Sequence, residues 1–446
     1  MQPSWFLNGH RAPVLCLNQS KDGLKLATGS EDKTCRIWDL STNQSSKAIV
    51  GFDDAVTAVC WDPLDNQKIY VASGLTLYVF SLATETVILN VEKASGIYTG
   101  AEDEMNQISV NDRGTFLAVC DDAGNVRALD LKSGQWMRRL AGGHDNNFSC
   151  DLLVRFRCFS SLDIAYLFAT AISGGMDYRI LSWDFYKNRS TEILKTDDMK
   201  ALNAPQGSAQ VFNPPFVLSV AIHPSGTRAA VGLGDGTVQF LHKPNDVPLS
   251  PEALKDYQQQ QHRQPPASDA KGKKGAKAKG KGSADAAWIV GGRLLDAHFS
   301  SLTTVEYLSQ AGLLVSAANN GTIAVWDEQE ARSATLSTNP TAVLLSEEEE
   351  EEQRGAAGEG DASLQRQQQH ITLRAVKPLF EFRTLAIFDR INGVSCRTVV
   401  ESDEGGNKVT RVQLFIAGVP QVAEGENAPQ PSPQVLGRIA VYEVSL

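Results

Sequence analysis

Three stretches of this chain contain the side chains of a nucleophilic hydrolase: a histidine, a serine or threonine, and an aspartate or asparagine. In each stretch a Trp-Asp pair follows, with the tryptophan six positions after a turn residue. The three sets are His10, Thr28, Asp32 and Trp38; His144, Ser173, Asp177 and Trp183; and His298, Ser316, Asn320 and Trp326. One active site needs one set, and the sequence has no Gly-x-Ser-x-Gly elbow. The repetition therefore indicates a structural role rather than catalysis.

Sequence patterns of metal and nucleotide sites are missing from the chain. It has no GxxxxGK[ST] phosphate loop and no HExxH pair, and its seven histidines are widely separated. The glycine-rich stretch at 232–236 lies between strand-like runs, which argues against a dinucleotide fingerprint. The acidic pairs at 53–54 and 121–122 are interpreted as solvated loop charges. We therefore expect no catalytic residue, cofactor, metal or small-molecule substrate.

The composition of the 446 residues is that of a folded, mildly acidic protein. Hydrophobic residues make up 42% and the formal net charge is -10, which favours a core and argues against general binding to nucleic acid. The seven cysteines show no CxxC spacing, so we interpret them as buried thiols of a reducing compartment. Neither a signal-peptide pattern nor a run of ~18 apolar residues is present. We expect an intracellular location, cytoplasmic and/or nuclear, without membrane contact.

Short strand-like runs separated by tight turns must position these side chains. PVLCLN (13–18), LKLAT (24–28) and CRIW (35–38) form the first group, with turns at 21–23 and 31–33. The same order recurs at ~40-residue spacing once insertions are removed. The groups span residues 13–38, 55–82, 106–131, 150–184, 216–241, 302–327 and 391–444. This repetition predicts an all-β, seven-bladed propeller, and a run of unrelated β-sandwiches is the alternative.

The ends and the polar segments of the chain complete the predicted ring. The last group supplies only three strands, so the segment 4–7 is predicted to add the fourth and remove an exposed edge. Residues 185–212 are predicted to extend the fourth blade. Two segments, 243–287 with a Lys tract and 328–375 with six consecutive glutamates, are too polar to form a core. We predict that both are disordered insertions between blades of a single domain, 1–446.

The Gly-His, turn-Asp and Trp-Asp pattern resembles the WD-repeat family of β-propellers. GHRAPVLCLNQSKDGL (9–24) and DDAVT (53–57) are also similar to the WD repeat-containing protein 53 family. The resemblance implies that the His, Ser/Thr, Asp and Trp of each set hydrogen-bond in series, with Asn320 replacing the aspartate in the third set. Such a network would satisfy a buried imidazole, carboxylate and indole N–H, so its role would be structural.

The remaining blades have lost parts of this signature. Phe80 and Leu129 stand for the tryptophan in the second and third blades, and neither blade keeps the turn aspartate. The fifth blade keeps Asp235 but has Leu241 in place of the tryptophan. We expect these blades to depend more on packing than on a polar network.

A propeller without a catalytic set predicts a non-catalytic scaffold that binds other proteins through its top face. The residue just before each turn position should point to a partner: Glu31, Asp122, Met176, Gly234 and Asn319. The resemblance further implies a substrate receptor or adaptor of a cullin-RING ubiquitin ligase. The Trp-Asp-x-Arg motif that docks the ligase adaptor has its nearest counterpart in Leu129-Asp130-Leu131-Lys132. Two other functions stay open: a nucleic-acid- or chromatin-associated module that uses the Lys tract, and an enzyme with polar residues converging on the central channel.

Overall fold

Seven β-sheets in a ring make up the fold, which confirms the predicted all-β, seven-bladed propeller. The structure is a computed structural model. It describes residues 1–137, 144, 151–154, 170–184, 189–196, 213–243, 246, 288–294, 297–308, 311–336, 377–384, 387–402, 408–420 and 436–445.

The strand bounds define the first four blades. The chain starts with β1 (Trp5–His10). Blade 1 contains β2 (Val14–Gln19), β3 (Lys25–Ser30), β4 (Cys35–Asp39) and β5 (Gln44–Val50), with β9 (Ile88–Asn90) added in parallel at its edge. Blade 2 contains β6 (Val56–Trp61), β7 (Lys68–Ser73), β8 (Thr76–Ser81) and β10 (Gly96–Thr99). Blade 3 contains β11 (Met105–Val110), β12 (Phe116–Asp121), β13 (Val126–Asp130) and β14 (Gln135–Trp136). Blade 4 contains β15 (Asp151–Val154), β16 (Thr170–Gly174), β17 (Arg179–Asp184) and β18 (Arg189–Lys195).

The last three blades have the same order of strands. Blade 5 contains β19 (Val217–Ile222), β20 (Arg228–Leu233), β21 (Val238–His242) and β22 (Ile289–Leu294). Blade 6 contains β23 (Leu302–Leu308), β24 (Leu313–Ala318), β25 (Thr322–Asp327) and β26 (Phe380–Arg383). Blade 7 contains β27 (Phe388–Ser402), β28 (Lys408–Pro420), β29 (Gly437–Ser445) and the closing strand β1. A 3-10 turn (Val91–Lys93) and one helix, α1 (Glu328–Leu336), lie outside these sheets.

The core lies between the faces of neighbouring blades. Because each blade is covered on both faces, its second strand is buried along most of its length instead of alternating between buried and exposed residues. In β24 (LLVSAA) all six residues are buried, and in β20 (RAAVGL) the last five are. Between blades 1 and 2 the packing includes Ile37, Phe52, Trp61 and Phe80. These apolar layers hold the strands at fixed angles around the ring and so fix where their end loops lie.

The N-terminal strand closes the ring, as predicted. β1 pairs antiparallel with β29, with Trp5 opposite Val441 and Leu7 opposite Ile439. The Ser4 N–H donates to the Val441 carbonyl at 2.7 Å, and Leu7 is 1% exposed. Blade 7 therefore joins the two ends of the described chain in one sheet, and β1 covers the outer edge of β29.

The two polar insertions lie within blades, whereas the sequence predicted them between blades. The segment predicted at 243–287 connects β21 to β22 of blade 5, and the one predicted at 328–375 connects β25 to β26 of blade 6. The second segment begins with α1, which buries Glu328, Ala331 and Arg332 against the propeller, so its polar composition did not prevent local folding. The Lys tract and the glutamate run lie outside the described residues. The predicted extension of blade 4 is β18, and residues 197–212 lie outside the described part.

Candidate functional site

Blade 1 contains the complete series of four side chains. The Trp38 indole N–H donates to the Thr28 hydroxyl oxygen at 2.9 Å, and His10 Nε2 lies 2.8 Å from the same oxygen. His10 Nδ1 faces the Asp32 carboxylate at 3.1 and 3.2 Å. His10 is the last residue of β1, so the series fixes the end of the closing strand to blade 1.

The Asp32 carboxylate also holds the loop around it. It accepts hydrogen bonds from the Arg11 N–H at 2.7 Å, from the Thr34 N–H at 3.1 Å and from the Thr34 hydroxyl at 2.6 Å. Burial raises the pKa of Asp32, but hydrogen bonds from His10, Thr34 and Arg11 outweigh it and hold this pKa well below its usual range. Burial lowers the pKa of His10, so a neutral imidazole donates its Nδ1 proton to the carboxylate.

Blade 4 repeats this arrangement. Trp183 donates to the Ser173 hydroxyl oxygen at 2.7 Å, His144 Nε2 lies 2.8 Å from that oxygen, and His144 Nδ1 lies 2.8 Å from Asp177. Asp177 also accepts from the Arg179 N–H at 3.1 Å. Two blades that are not neighbours thus use the same four contacts to attach a loop to a sheet.

Blade 6 forms only half of the series, which differs from the expectation for Asn320. Trp326 donates to the Ser316 hydroxyl oxygen at 2.8 Å, and His298 Nε2 lies 2.7 Å from it. The Asn320 Oδ1 accepts from the Thr322 N–H at 3.1 Å and does not bond to the histidine. Within the described residues His298 Nδ1 has no hydrogen-bond partner. Burial lowers the pKa of His298 to about 4.

These hydroxyl groups are not placed to act as nucleophiles. Thr28, Ser173 and Ser316 are 0% exposed, and the oxygen of each accepts a hydrogen bond from an indole. A nucleophile must reach the scissile group of a substrate, and a fully buried hydroxyl cannot do so. The arrangement can stabilise a loop but cannot transfer an acyl group.

The blades with a degenerate signature contain polar contacts that the sequence did not reveal. In blade 5, Arg293 on the fourth strand pairs with Asp235 and donates to the Thr237 hydroxyl at 2.7 Å. In blade 3, Asn125 donates its N–H to Asp121 at 2.9 Å. Asp235-Gly236-Thr237 was visible as a turn, but Arg293 follows a long insertion, so no spacing rule could connect the two.

The candidate contact residues lie at one end of the ring, which we call the top face. Each follows the second strand of its blade, and antiparallel pairing puts all such turns at the same end. Glu31 and Asn319 are exposed, and Asp122 and Met176 are half-buried. These four side chains therefore contribute to the outer surface of the top face.

Two of the proposed contact residues occupy different environments. Gly234 is buried, and a Cβ atom there would meet the Pro214 carbonyl oxygen at 2.4 Å, so this position serves packing. Lys132 is exposed just after a third strand, at the opposite end of the ring, which we call the bottom face. The Asp130 carboxylate accepts from the Lys132 N–H at 2.9 Å and fixes that turn.

An acidic sector covers the top face of blades 1 to 3. Its members are Glu31, Asp53, Asp54, Asp103, Glu104 and Asp122. Burial and then the charges of Asp122, Asp54 and Asp103 raise the pKa of Glu104, because like charges nearby disfavour its ionised form. Lys33 lies beside the sector and donates to the Asp53 carbonyl oxygen at 2.5 Å.

The central channel encloses a cavity of about 520 Å³ lined mainly by first strands. Among its described lining residues the ionisable side chains are Cys16 and Glu306. Burial raises the pKa of the Cys16 thiol to about 12 and that of Glu306 to about 8, so both are mainly protonated at neutral pH. In the described part of the chain, no three His, Cys, Asp or Glu side chains are grouped as metal ligands. Among its described lining residues the channel therefore holds no pair of ionised side chains at neutral pH.

Comparison with known proteins agrees with this geometry. The family described as WD domain, G-beta repeat matches residues 1–39 and 292–327. These matches contain the first three strands of blade 1 and the first three strands of blade 6, each part of a ring of seven blades. The chain is a seven-bladed β-propeller, and parts of its blades 1 and 6 match the WD-repeat model. WD-repeat proteins act as protein-interaction scaffolds, and their propellers are typically non-catalytic.

Several curated proteins are similar to this propeller over part of their length. WD repeat-containing protein 53 homolog of Dictyostelium discoideum is 31% identical over 247 residues, which cover 52% of this chain and 62% of that protein. THO complex subunit 3 of Arabidopsis thaliana is 39% identical over 70 residues, covering 15% and 22%. Ribosome biogenesis protein bop1-B of Xenopus laevis is 25% identical over 158 residues, covering 28% and 22%. The propeller thus spans less than two thirds of each of these relatives.

Helices contribute little to the described part of the propeller. None of them combines the length and the apolar character that a membrane crossing requires.

Proposed function

We propose that this propeller is a non-catalytic scaffold that binds a protein partner with a basic surface through the acidic sector of its top face. The observation that carries the proposal is the crowding of carboxylates at Glu104. Burial and then neighbouring charges oppose its ionisation in the free protein, and a basic partner would relieve the repulsion between those charges. The same field would speed encounter with a positively charged surface and reject an acidic one.

The two ends of the ring support a more specific role as substrate receptor or adaptor in a cullin-RING ubiquitin ligase. Such a role needs two separate surfaces, one for the substrate and one for the ligase adaptor. The acidic sector lies on the top face, and Lys132 lies exposed on the bottom face. In this proposal the protein is a single propeller domain with polar insertions in blades 5 and 6. It acts inside the cell, in the cytoplasm and/or the nucleus.

Reversal of charge at the top face tests the binding surface. The variant Glu31→Lys/Asp54→Lys/Asp122→Lys should lose the partners that the wild-type full-length protein captures in affinity purification with mass spectrometry. Lys132→Glu is the matched control, because it changes one exposed charge on the bottom face. Retention of every partner by the triple variant, with its melting temperature unchanged, would contradict the proposed surface.

The same experiment separates the ligase role from binding in general. A ligase adaptor recovered with the wild type and the triple variant, but lost with Lys132→Glu, supports the receptor role. Absence of any cullin-RING component from the wild-type sample contradicts that role and leaves the top-face proposal intact. Binding to nucleic acid that falls steeply with salt and disappears on deletion of 271–281 would favour the alternative function.

A further inference from the structure

The chain contains three Asn-Gly dipeptides in different backbone conformations. They are Asn8-Gly9, Asn320-Gly321 and Asn392-Gly393. Glycine has no Cβ to shield its nitrogen. Its backbone nitrogen can therefore attack the side-chain amide carbon of the preceding asparagine if the backbone brings the two atoms together. The conformation at each site then decides which asparagine reacts.

Asn320 is the asparagine whose amide is folded over the following glycine. Its Oδ1 accepts from the Thr322 N–H at 3.1 Å, so the side chain reaches forward over Gly321. Gly321 itself has φ +79°. Asn8 lies in β1 and Asn392 in β27, each at a register shift of its strand, and within the described residues neither amide is fixed over the next nitrogen by such a bond. Asn392 is also held by its Nδ2, which donates to the Val14 carbonyl at 2.8 Å.

Two buried polar atoms next to Asn320 have no hydrogen-bond partner within the described residues. They are His298 Nδ1 and Thr322 Oγ1, on side chains that are 5% and 4% exposed. In blade 1 the corresponding atoms of His10 and Thr34 both bond to the Asp32 carboxylate. A carboxylate at position 320 would supply the acceptor that both atoms lack.

The Asn320 amide shares one backbone contact with the Asp32 carboxylate. Asp32 Oδ1 accepts from the Thr34 N–H at 3.1 Å, and Asn320 Oδ1 accepts from the Thr322 N–H at the same distance. The second terminal atom of Asn320 is an NH₂ group, and within the described residues it bonds to neither His298 Nδ1 nor Thr322 Oγ1. An aspartate would carry a second acceptor oxygen in its place.

We propose that Asn320 is a deamidation site in the folded protein and that its conversion to aspartate completes the hydrogen-bond series of blade 6. The Gly321 nitrogen bonds to Asn320 Cγ, the bond from Cγ to the amide nitrogen breaks, and that nitrogen leaves as ammonia with the Gly321 proton. Water then adds to Cγ of the cyclic imide and returns a proton to the Gly321 nitrogen. The net reaction consumes one water, releases one ammonia and leaves aspartate.

Two features of the turn shape the outcome. The Gly321 N–H donates to the Ala318 carbonyl at 3.0 Å, so the reaction proceeds when this bond opens and is slow in the closed turn. Water can also add to the other imide carbonyl, which gives isoaspartate. That product lengthens the backbone by one carbon and cannot keep the turn that holds the Thr322 N–H, so only the aspartate product satisfies blade 6.

Aged full-length protein tests the proposal. The purified protein is held at mildly alkaline pH, and peptide mapping by mass spectrometry measures asparagine, aspartate and isoaspartate at the three dipeptides. The expected result is more conversion at Asn320 than at Asn8 or Asn392, and a melting temperature that drifts towards that of Asn320→Asp. The matched control is Asn320→Gln, which keeps an amide but must close a larger ring, so its melting temperature should not drift.

The unfolded chain shows whether the fold directs the reaction. In denaturant the three dipeptides should convert at similar rates, because their sequences are alike once the backbone is free. Less conversion at Asn320 than at Asn8 or Asn392 in the folded protein would overturn the proposal. A melting temperature of Asn320→Asp at or below that of the wild type would overturn the claim that aspartate completes the series.

Discussion

Blades 1 and 6 contain the same scaffold of polar residues and differ at the turn residue. Both place a tryptophan indole 2.8–2.9 Å from a buried hydroxyl, and a histidine 2.7–2.8 Å from that hydroxyl. In blade 1 the histidine continues to Asp32, whereas in blade 6 it ends without a partner within the described residues. The change from carboxylate to amide divides the series into two independent halves.

The two halves have different tasks. The tryptophan, hydroxyl and histidine join the second and third strands of a blade to the loop that enters it, and they do this with or without the aspartate. The Asp32 carboxylate gathers four groups of the top face, from His10, Arg11 and both donors of Thr34. The comparison therefore assigns sheet attachment to the first half and the shape of the top-face loops to the second.

Removal of residues 1–8 should have the largest effect on stability, because it removes strand pairing and buried apolar surface rather than single hydrogen bonds. It deletes most of β1, exposes the edge of β29 and removes the buried Leu7, whose loss alone is worth about 2–5 kcal/mol. We expect the whole propeller to melt at a lower temperature in a single transition by calorimetry. Removal of residues 1–3 is the control, since Ser4 is the first residue bonded to β29. An unchanged melting temperature after removal of 1–8 would refute closure by β1.

Asp32→Ala should be more costly than Asn320→Ala. The first change removes the carboxylate that accepts from the buried His10 and frees the Arg11 and Thr34 donors, at a cost of about 3 kcal/mol. The second removes one backbone hydrogen bond, worth about 1 kcal/mol or less. Urea unfolding of both variants measures the difference. Equal losses would mean that the aspartate half of the series does not hold the top-face loops.

Asn320→Asp should make blade 6 resemble blade 1. The carboxylate would accept from His298 and Thr322, and the free energy of unfolding should rise by about 1 kcal/mol. The same urea experiment measures this gain. Asp32→Asn is the reciprocal variant and should lose stability, because it places an amide NH₂ next to His10. A gain in both variants would show that the two blades are not equivalent.

The pH dependence of stability gives a further test of residue 320. Burial lowers the pKa of His298 to about 4, below its unfolded value of 6.5. Between these values the unfolded chain binds a proton that the folded chain does not, so this stabilising contribution is present above pH 6.5 and declines towards pH 4. Asn320→Asp should raise the pKa of His298 and weaken this decline, as measured by melting temperature against pH. An identical decline in both proteins would show that residue 320 does not reach the histidine.

The sequence predicted the architecture well because its signals are local and repeated. Strand-like runs, turn residues and Trp-Asp pairs recur at regular spacing, so seven blades could be counted, and three strands in the last group indicated that the segment 4–7 must close it. The insertions were misplaced because the fourth strands β22 and β26 are short and follow long polar segments. A strand of four to six residues has too little pattern to be recognised without its neighbours.

The details of the candidate site depend on contacts that sequence spacing does not encode. The three histidines, hydroxyls and tryptophans could be listed in advance, but the different orientation of Asn320 follows from the chemistry of one amide. Gly234 was named as a surface contact because of its place in the turn, yet the Pro214 carbonyl covers it. Arg293 and Asp235 are joined across an insertion, and the acidic sector combines loops of three blades. Such contacts become visible only when the ring is closed.

The pairing of β1 with β29 also sets an order of events during synthesis on the ribosome. The strand β1 has its partner almost at the other end of the described chain, so it must wait until β29 is made. At about 5–20 residues per second, that wait is on the order of tens of seconds. During this time Leu7 and the edges of β1 are available to chaperones or to a neighbouring chain. The ring can be completed only after β29 has left the ribosome, which makes closure a late step of folding.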